Sequence, residues 1–191
     1  AALAVLWFAN TRDGLDWKVI TTASTWRQLT KYLWPEIRKW ARRLDWVKLG
    51  RRPYTNDELR VLSLKLATGE AFAAASSDHE KIEGAHADHL LYVFDEAKAI
   101  PDGTWDAAEG AFSGGGEDTG NEAFALAIST PGEPQGRFYK IHRRAKGYED
   151  WHVRHVRLRE AIAAKRISKS WADQRRRQWG RESALYLNRV E

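Results

Sequence analysis

Cysteine and methionine are both absent from the 191 residues. Without cysteine there is no disulfide framework and no thiolate zinc site. A complete translated chain begins with methionine, so this one reads as processed, trimmed or partial. No apolar run approaches the roughly 20 residues that a membrane-spanning helix needs. The apolar start, Ala1 to Ala9, is too short for a span and lacks the basic flank and cleavage site of a signal peptide. The expectation is a soluble intracellular protein with no membrane contact.

What is present is a chain of one-domain length with 43% hydrophobic residues, enough for a core. Its net charge of +5 is unevenly spread. Residues 27–60 carry ten Lys/Arg and four Asp/Glu, residues 61–136 three and fourteen, and residues 137–191 sixteen and six. An acidic middle suits bound metal, and basic flanks suit a polyanion such as DNA. Solvated helix faces are the plainer reading of most individual basic residues.

Hydrophobic periodicity supplies the elements. Ala1, Leu3, Ala4 and Leu6 read as the inside of an apolar helix with no cap before it. Lys18–Ala23 is a β-rich run after the turn signal Asp13–Gly14. Thr25 caps a helix whose apolar positions Trp26, Leu29, Leu33, Trp34, Ile37 and Trp40 recur at helical spacing, with Pro35 placed to kink or divide it. Leu59–Leu66 and Ala71–Ala75 read as a hairpin turning at Ala67–Glu70. Asp78–Gly84 reads as loop or a helical turn. Leu90–Phe94 is a continuous apolar run, as in a strand buried on both faces. A helix runs from Pro101 to about Phe112, then a flexible loop over Gly114–Gly120. Phe124–Ile128 reads as a second buried strand. Beyond it, Phe138–Arg144 is a short helix, and Trp151–Leu158 alternates as a strand would. Ser168 or Ser170 caps a helix ending at Gly180, and Ser183 caps a last one. Strands alternating with helices make the class α/β with a largely parallel sheet.

Two strand ends carry candidate chemistry. LLYVFDEA delivers Asp95 and Glu96 to the carboxyl end of a strand, the edge where open α/β sheets bind ligands. An Asp there can hold Mg²⁺ on the phosphates of ATP, and the next carboxylate can deprotonate the attacking water. Alone, the same pair can equally cap a helix. FALAI ends in Ser129, Thr130 and Pro131, hydroxyls placed to bond a phosphate or a catalytic water. Those residues are also ordinary turn formers.

Taken in order, four segments resemble the ATPase domain of bacteriophage terminase large subunits. KVITTASTWRQLTKYLWPEIRKW is similar to the strand and helix after that family's phosphate loop. LLYVFDEAKAIPDGTWDAAEGAF is similar to its Walker B strand and helix, and EGAHAD to the lead-in. ALAISTPGEPQGRFYKIH resembles its coupling motif, and WADQRRRQWGRESALYLNRV the segment near the end of its ATPase domain. The resemblance implies a P-loop NTPase core, RecA/ASCE-like, incomplete at its N-terminus. Residues 1–136 would be the nucleotide-binding core, and 137–191 a basic part of the same domain. It implies Asp95 as the Mg²⁺ ligand, Glu96 as catalytic base, and Ser129 and Thr130 in the coupling motif near the γ-phosphate. ATP and Mg²⁺ would be the cofactors and double-stranded DNA the track. A portal protein, a small terminase subunit and sister copies in a ring would be partners in the host cytoplasm.

The sequence departs from the family in its phosphate loop, the adenine-contacting segment before it and the nuclease domain. No G-x-x-x-x-G-K-[ST] occurs anywhere in the chain, although the family places it at the start of the helix that begins here with Ala1. The nuclease domain is absent too. Truncation at both ends accounts for this, and a missing central strand would leave a sheet edge exposed. The alternatives are an inactive prophage remnant that binds DNA or protein, or a helicase-like ATPase. His79, His86 and His89 near Glu83 and Asp88 suggest a metal site without a zinc signature. Trp26, Trp34 and Trp40 read as core packing. Trp171 and Trp179 share a helix face, with Arg175, Arg176 and Arg177 placed elsewhere.

Overall fold

A five-stranded sheet organises the first 129 residues of the computed structural model, which describes residues 1–116 and 120–190. The strands are β1 (Trp17–Ala23), β2 (Ser63–Lys65), β3 (Gly69–Ala73), β4 (His89–Asp95) and β5 (Glu122–Ile128), in the order β2-β3-β1-β4-β5. All neighbours run parallel except the β2–β3 hairpin. The largely parallel α/β sheet expected from the alternation of elements is therefore present.

The helices follow the sequence signals closely. Helix α1 (Ala2–Thr11) buries Val5, Leu6, Phe8 and Ala9 and has no side-chain cap. The Thr25 hydroxyl accepts the Gln28 backbone N–H, while the Gln28 side chain reaches back to the cap. Pro35 divides the helix as expected. A short α2 (Trp26–Gln28) passes through a wide π turn, Leu29–Leu33, into α3 (Trp34–Ala41). Proline has no N–H to give and its ring crowds the preceding turn, so the wider turn absorbs the mismatch. Helix α4 (His79–Glu83) fills the stretch read as loop or helical turn. Helix α5 (Asp102–Ala111) continues into a single tight turn, Phe112–Gly114. Of the expected flexible loop over Gly114–Gly120, Gly114 closes this turn and residues 117–119 lie outside the described residues.

One face of the sheet packs Val19, Ala23, Leu91 and Val93 against α1 and α3, with Leu29, Leu33, Trp34 and Ile37 closing that core. On the other face Phe94 stacks on Trp105 of α5 at 4.0 Å, and Tyr92 meets Phe112 edge-on at 5.4 Å. Tyr92 also donates its hydroxyl to the Ile82 carbonyl. Trp26 departs from expectation: it is exposed at the helix start, while Trp34 is fully buried and Trp40 partly so. The hairpin is shorter at its start than expected, with β2 beginning at Ser63, while its second strand begins earlier, with Gly69 inside β3. A side chain at Gly69 would lie 2.4 Å from the Trp17 carbonyl oxygen, so only glycine fits beside β1.

The second apolar strand is a correction. β5 pairs only with β4 and forms the sheet's edge, with Phe124 46% and Ile128 40% exposed. Its apolar run identifies a strand but not its place in the sheet, because no strand covers its outer side among the described residues. An exposed edge with a large aromatic invites pairing between copies. Phe124→Lys is therefore expected to raise the monomer fraction in light scattering without lowering the melting temperature. Unchanged self-association would rule out β5 as the contact.

Residues Thr130–Glu191 form a second compact unit, starting a few residues before the compositional boundary at 136. It holds α6 (Gly136–His142), α7 (Leu158–Ala163), α8 (Lys169–Trp179) and α9 (Ala184–Arg189). The expected strand at Trp151–Leu158 is not formed. That stretch is irregular up to α7, which Glu160 opens by accepting the Arg157 backbone N–H at 3.2 Å. Alternation needs a neighbouring strand to become a β-strand, and none borders it among the described residues. Ser168 and Ser183 cap α8 and α9 as expected. Ala172, Tyr186 and Val190 form the core of this unit, with Leu158, Ile162 and Trp179 around them.

Candidate active site

The carboxyl edge of the sheet gathers three strand ends. Ala23, Asp95 and Ile128 are in register, so Ser24, Glu96 and Ser129 follow them at one edge. Asp95 closes β4 and is half-buried. Burial pushes its carboxyl above the usual range, and neighbouring Glu96 adds to the rise. The start of α1 lies near Asp95. A helix N-terminus beside this edge favours negative charge.

Glu96 adopts a left-handed backbone, φ 53° and ψ 47°. For a residue with a side chain that conformation costs about 1–2 kcal/mol. It turns the chain sharply out of β4 and holds the carboxylate at the sheet edge. There Glu96 Oε2 accepts the Ser129 hydroxyl at 3.3 Å, and Lys98 Nζ stands 3.9 Å away. The Lys98 backbone N–H also donates to Ser129 Oγ at 3.4 Å. The structure therefore joins the two candidate motifs, DEA and ST, through Glu96 and Ser129. Thr130 opens the second unit.

Sequence reasoning missed Lys98 and the left-handed turn. Lys98 lies two residues beyond Glu96, a spacing that carries no recognisable signal. A positive φ at a glutamate contradicts local propensity, and such conflicts concentrate at functional sites. The suggested histidine site is not formed: among the described residues no group of three or more His, Asp or Glu side chains is placed to hold a metal. His89 instead meets Glu122 Oε2 at 2.9 Å, and Arg12 donates to the same oxygen at 2.7 Å. This ties α1 to the opposite, amino edge of the sheet.

The edge suits a magnesium ion in part. Asp95 and Glu96 place two carboxylates side by side, one of them half-buried and uncomfortable as an anion, and a divalent cation offsets both. Mg²⁺ commonly takes one or two carboxylates and fills its remaining positions with phosphate oxygens and water. No residues of this chain supply the glycine-rich cradle for those phosphates.

No protein-family model matches the chain. Over 67 residues it is 39% identical to a protein of Enterobacteria phage P7 described as "Probable terminase, large subunit", a match covering 35% of this chain and 12% of that protein. In fold it is similar to a large terminase of a thermophilic bacteriophage solved in complex with ADP. That likeness has a TM-score of 0.63 at 13% identity and covers 99% of this chain and 42% of that one. The ATPase domain of the Thermus phage P74-26 large terminase gives the same TM-score, 0.63, at 16% identity, over 99% of this chain and 80% of the domain. The matched stretch thus spans about an eighth of the phage P7 protein, and the chain covers less than half of the longer solved terminase. By fold along nearly its whole length, and by sequence over 67 residues, the chain resembles the ATPase portion of a bacteriophage terminase large subunit.

Proposed function

We propose that this chain is part of an ATP-driven translocase that packages double-stranded viral DNA into procapsids. Residues 1–136 are its nucleotide-binding core and residues 137–191 a basic part of the same domain. The observation that carries the reading is the contact between Glu96 and Ser129, a carboxylate and a hydroxyl from adjacent parallel strands meeting at the ligand-binding edge. Asp95 would hold Mg²⁺, which supplies charge neutralisation on the phosphates of ATP. Glu96 orients a water and takes its proton. The Ser129 hydroxyl bonds either Glu96 or a phosphate oxygen, so the carboxylate is released to act as the phosphate engages Ser129. Ser129 and Thr130, consecutive in the chain, then pass that state into the second unit. Portal protein, small terminase subunit and sister copies in a ring are the partners this reading requires, in the host cytoplasm.

These residues contain no G-x-x-x-x-G-K-[ST] cradle for phosphates, so the 191-residue chain by itself is expected to bind ATP very weakly. Calorimetry giving a micromolar Kd for the isolated chain would contradict this. The function itself is tested on the longest product of the gene, as Mg²⁺-dependent ATP hydrolysis with and without duplex DNA. Hydrolysis stimulated by the duplex supports the reading. A product that folds and neither hydrolyses ATP nor binds duplex would overturn it and favour the inactive remnant.

A further inference from the structure

Helix α8 carries a guanidinium held in place with no carboxylate partner among the described residues. Arg175 lies between two indoles of its own helix, 5.9 Å from the Trp171 ring and 5.4 Å from the Trp179 ring. Spacings of four residues put all three side chains on one flank, so Arg175 does not sit apart from the tryptophans as its sequence position suggested. Trp179 packs into the unit's core, while Trp171 is 39% exposed. The Arg175 Nε is shut off from solvent and has no hydrogen-bond partner among the described residues. No carboxylate pairs with the Arg175 guanidinium there either. The helix's one acid, Asp173, falls on the opposite side at helical spacing, whereas exposed Gln174 and Gln178 border the arginine's flank.

An arginine stacked between aromatic rings has already lost most of its rotamer freedom, so little more is lost when its outer nitrogens engage a ligand. No acid among the described residues compensates its charge, and the amides beside it supply further donors. The surrounding segment, residues 137–191, carries sixteen Lys/Arg against six Asp/Glu. A single small anion would not call for such a field, but a polymer of phosphates does.

We infer that the Trp171–Arg175–Trp179 flank of α8 is a phosphodiester clamp that grips the backbone of double-stranded DNA. Arg175 donates to phosphate oxygens, and Gln174 and Gln178 donate alongside. The guanidinium covers the indoles on the sides that face it, so those faces are not open to stacked bases, and the clamp reads charge and backbone rather than unpaired bases. The inference deepens the translocase reading by naming where the track is held. It is measured without nucleotide, so its failure leaves the ATP site untouched, and failed hydrolysis leaves this clamp untouched.

The test is fluorescence anisotropy of a labelled mixed-sequence duplex with the whole chain at several salt concentrations. Arg175→Ala is expected to weaken binding about tenfold and lower the slope of log K against log salt by about 0.9. Arg175→Lys keeps the charge but loses the planar stack and should fall in between. Arg154→Ala, whose arginine is already paired with Glu160 at 3.1 Å, serves as the control and should change little. Folded Arg175 variants that bind duplex as tightly as wild type would overturn the clamp. A single strand of equal phosphate count binding severalfold tighter than duplex would overturn the choice of ligand. If the variants do not fold, the buried Nε–H signal of Arg175 is followed by NMR in the unsubstituted chain. Its shift with added duplex supports the clamp, and an unmoved signal in a saturated complex overturns it.

Discussion

Glu96→Gln is expected to lower kcat for ATP hydrolysis by about 10²–10⁴-fold, the usual contribution of a positioned general base. This corresponds to about 3–5 kcal/mol of transition-state stabilisation. The substitution keeps the side chain's size and its ability to accept the Ser129 hydroxyl, which now reaches it over 3.3 Å. It removes the negative charge and the capacity to take a proton. Nucleotide binding by the longest product of the gene should therefore persist while turnover is lost. Wild-type turnover in the variant would remove Glu96 from the base role and leave the acidic pair as a helix-leading turn. A second substitution separates chemistry from backbone strain. At φ 53° a glycine meets no steric penalty, so Glu96→Gly should abolish turnover and yet raise stability by about 1 kcal/mol in denaturant unfolding. A stabilised, inactive protein is the expected signature of strain kept for function.

Trp34→Ala should destabilise the first unit by about 3–5 kcal/mol, among the largest costs available to a point substitution here. The indole is fully buried in the core that joins α1 and α3 to the sheet. Its Nε1 donates to Thr21 Oγ1 at 3.0 Å, and that hydroxyl in turn donates to the Phe72 carbonyl at 3.1 Å. One side chain therefore links α3 to β1 and, through Thr21, to β3. Alanine leaves a large cavity under the sheet and ends the chain of hydrogen bonds. Trp34→Phe retains most of the volume and isolates the hydrogen bond, which should cost about 1 kcal/mol. Denaturant unfolding followed by near-ultraviolet circular dichroism measures both. A loss below about 1 kcal/mol for the alanine variant would mean that the core closes over the gap.

Local pattern identified much of the chain correctly. The apolar run Leu90–Phe94 became the buried strand β4, Thr25 and Ser168 became caps, and Pro35 divided its helix. These features depend on near neighbours: a hydroxyl beside an open N–H, a ring without a donor, a run too apolar to face water. Errors arose where the outcome depended on a distant partner. Trp151–Leu158 alternates but has no strand to pair with. Phe124–Ile128 is as apolar as β4 but stands at an edge, so its side chains remain partly exposed.

For the candidate site, the sequence by itself determined which chemical groups reach the sheet edge. An apolar strand must release its first polar residues where it ends, and that fixed Asp95, Glu96 and Ser129. Only the tertiary structure decided how those groups meet. Parallel pairing of β4 with β5 places Ser129 against Glu96, although thirty-three residues separate them. The left-handed turn at Glu96 runs against its own propensity and is held by that packing. Hydrogen bonds between strands and a strained turn are properties of the assembled sheet, and no window of neighbouring residues contains the information that sets them.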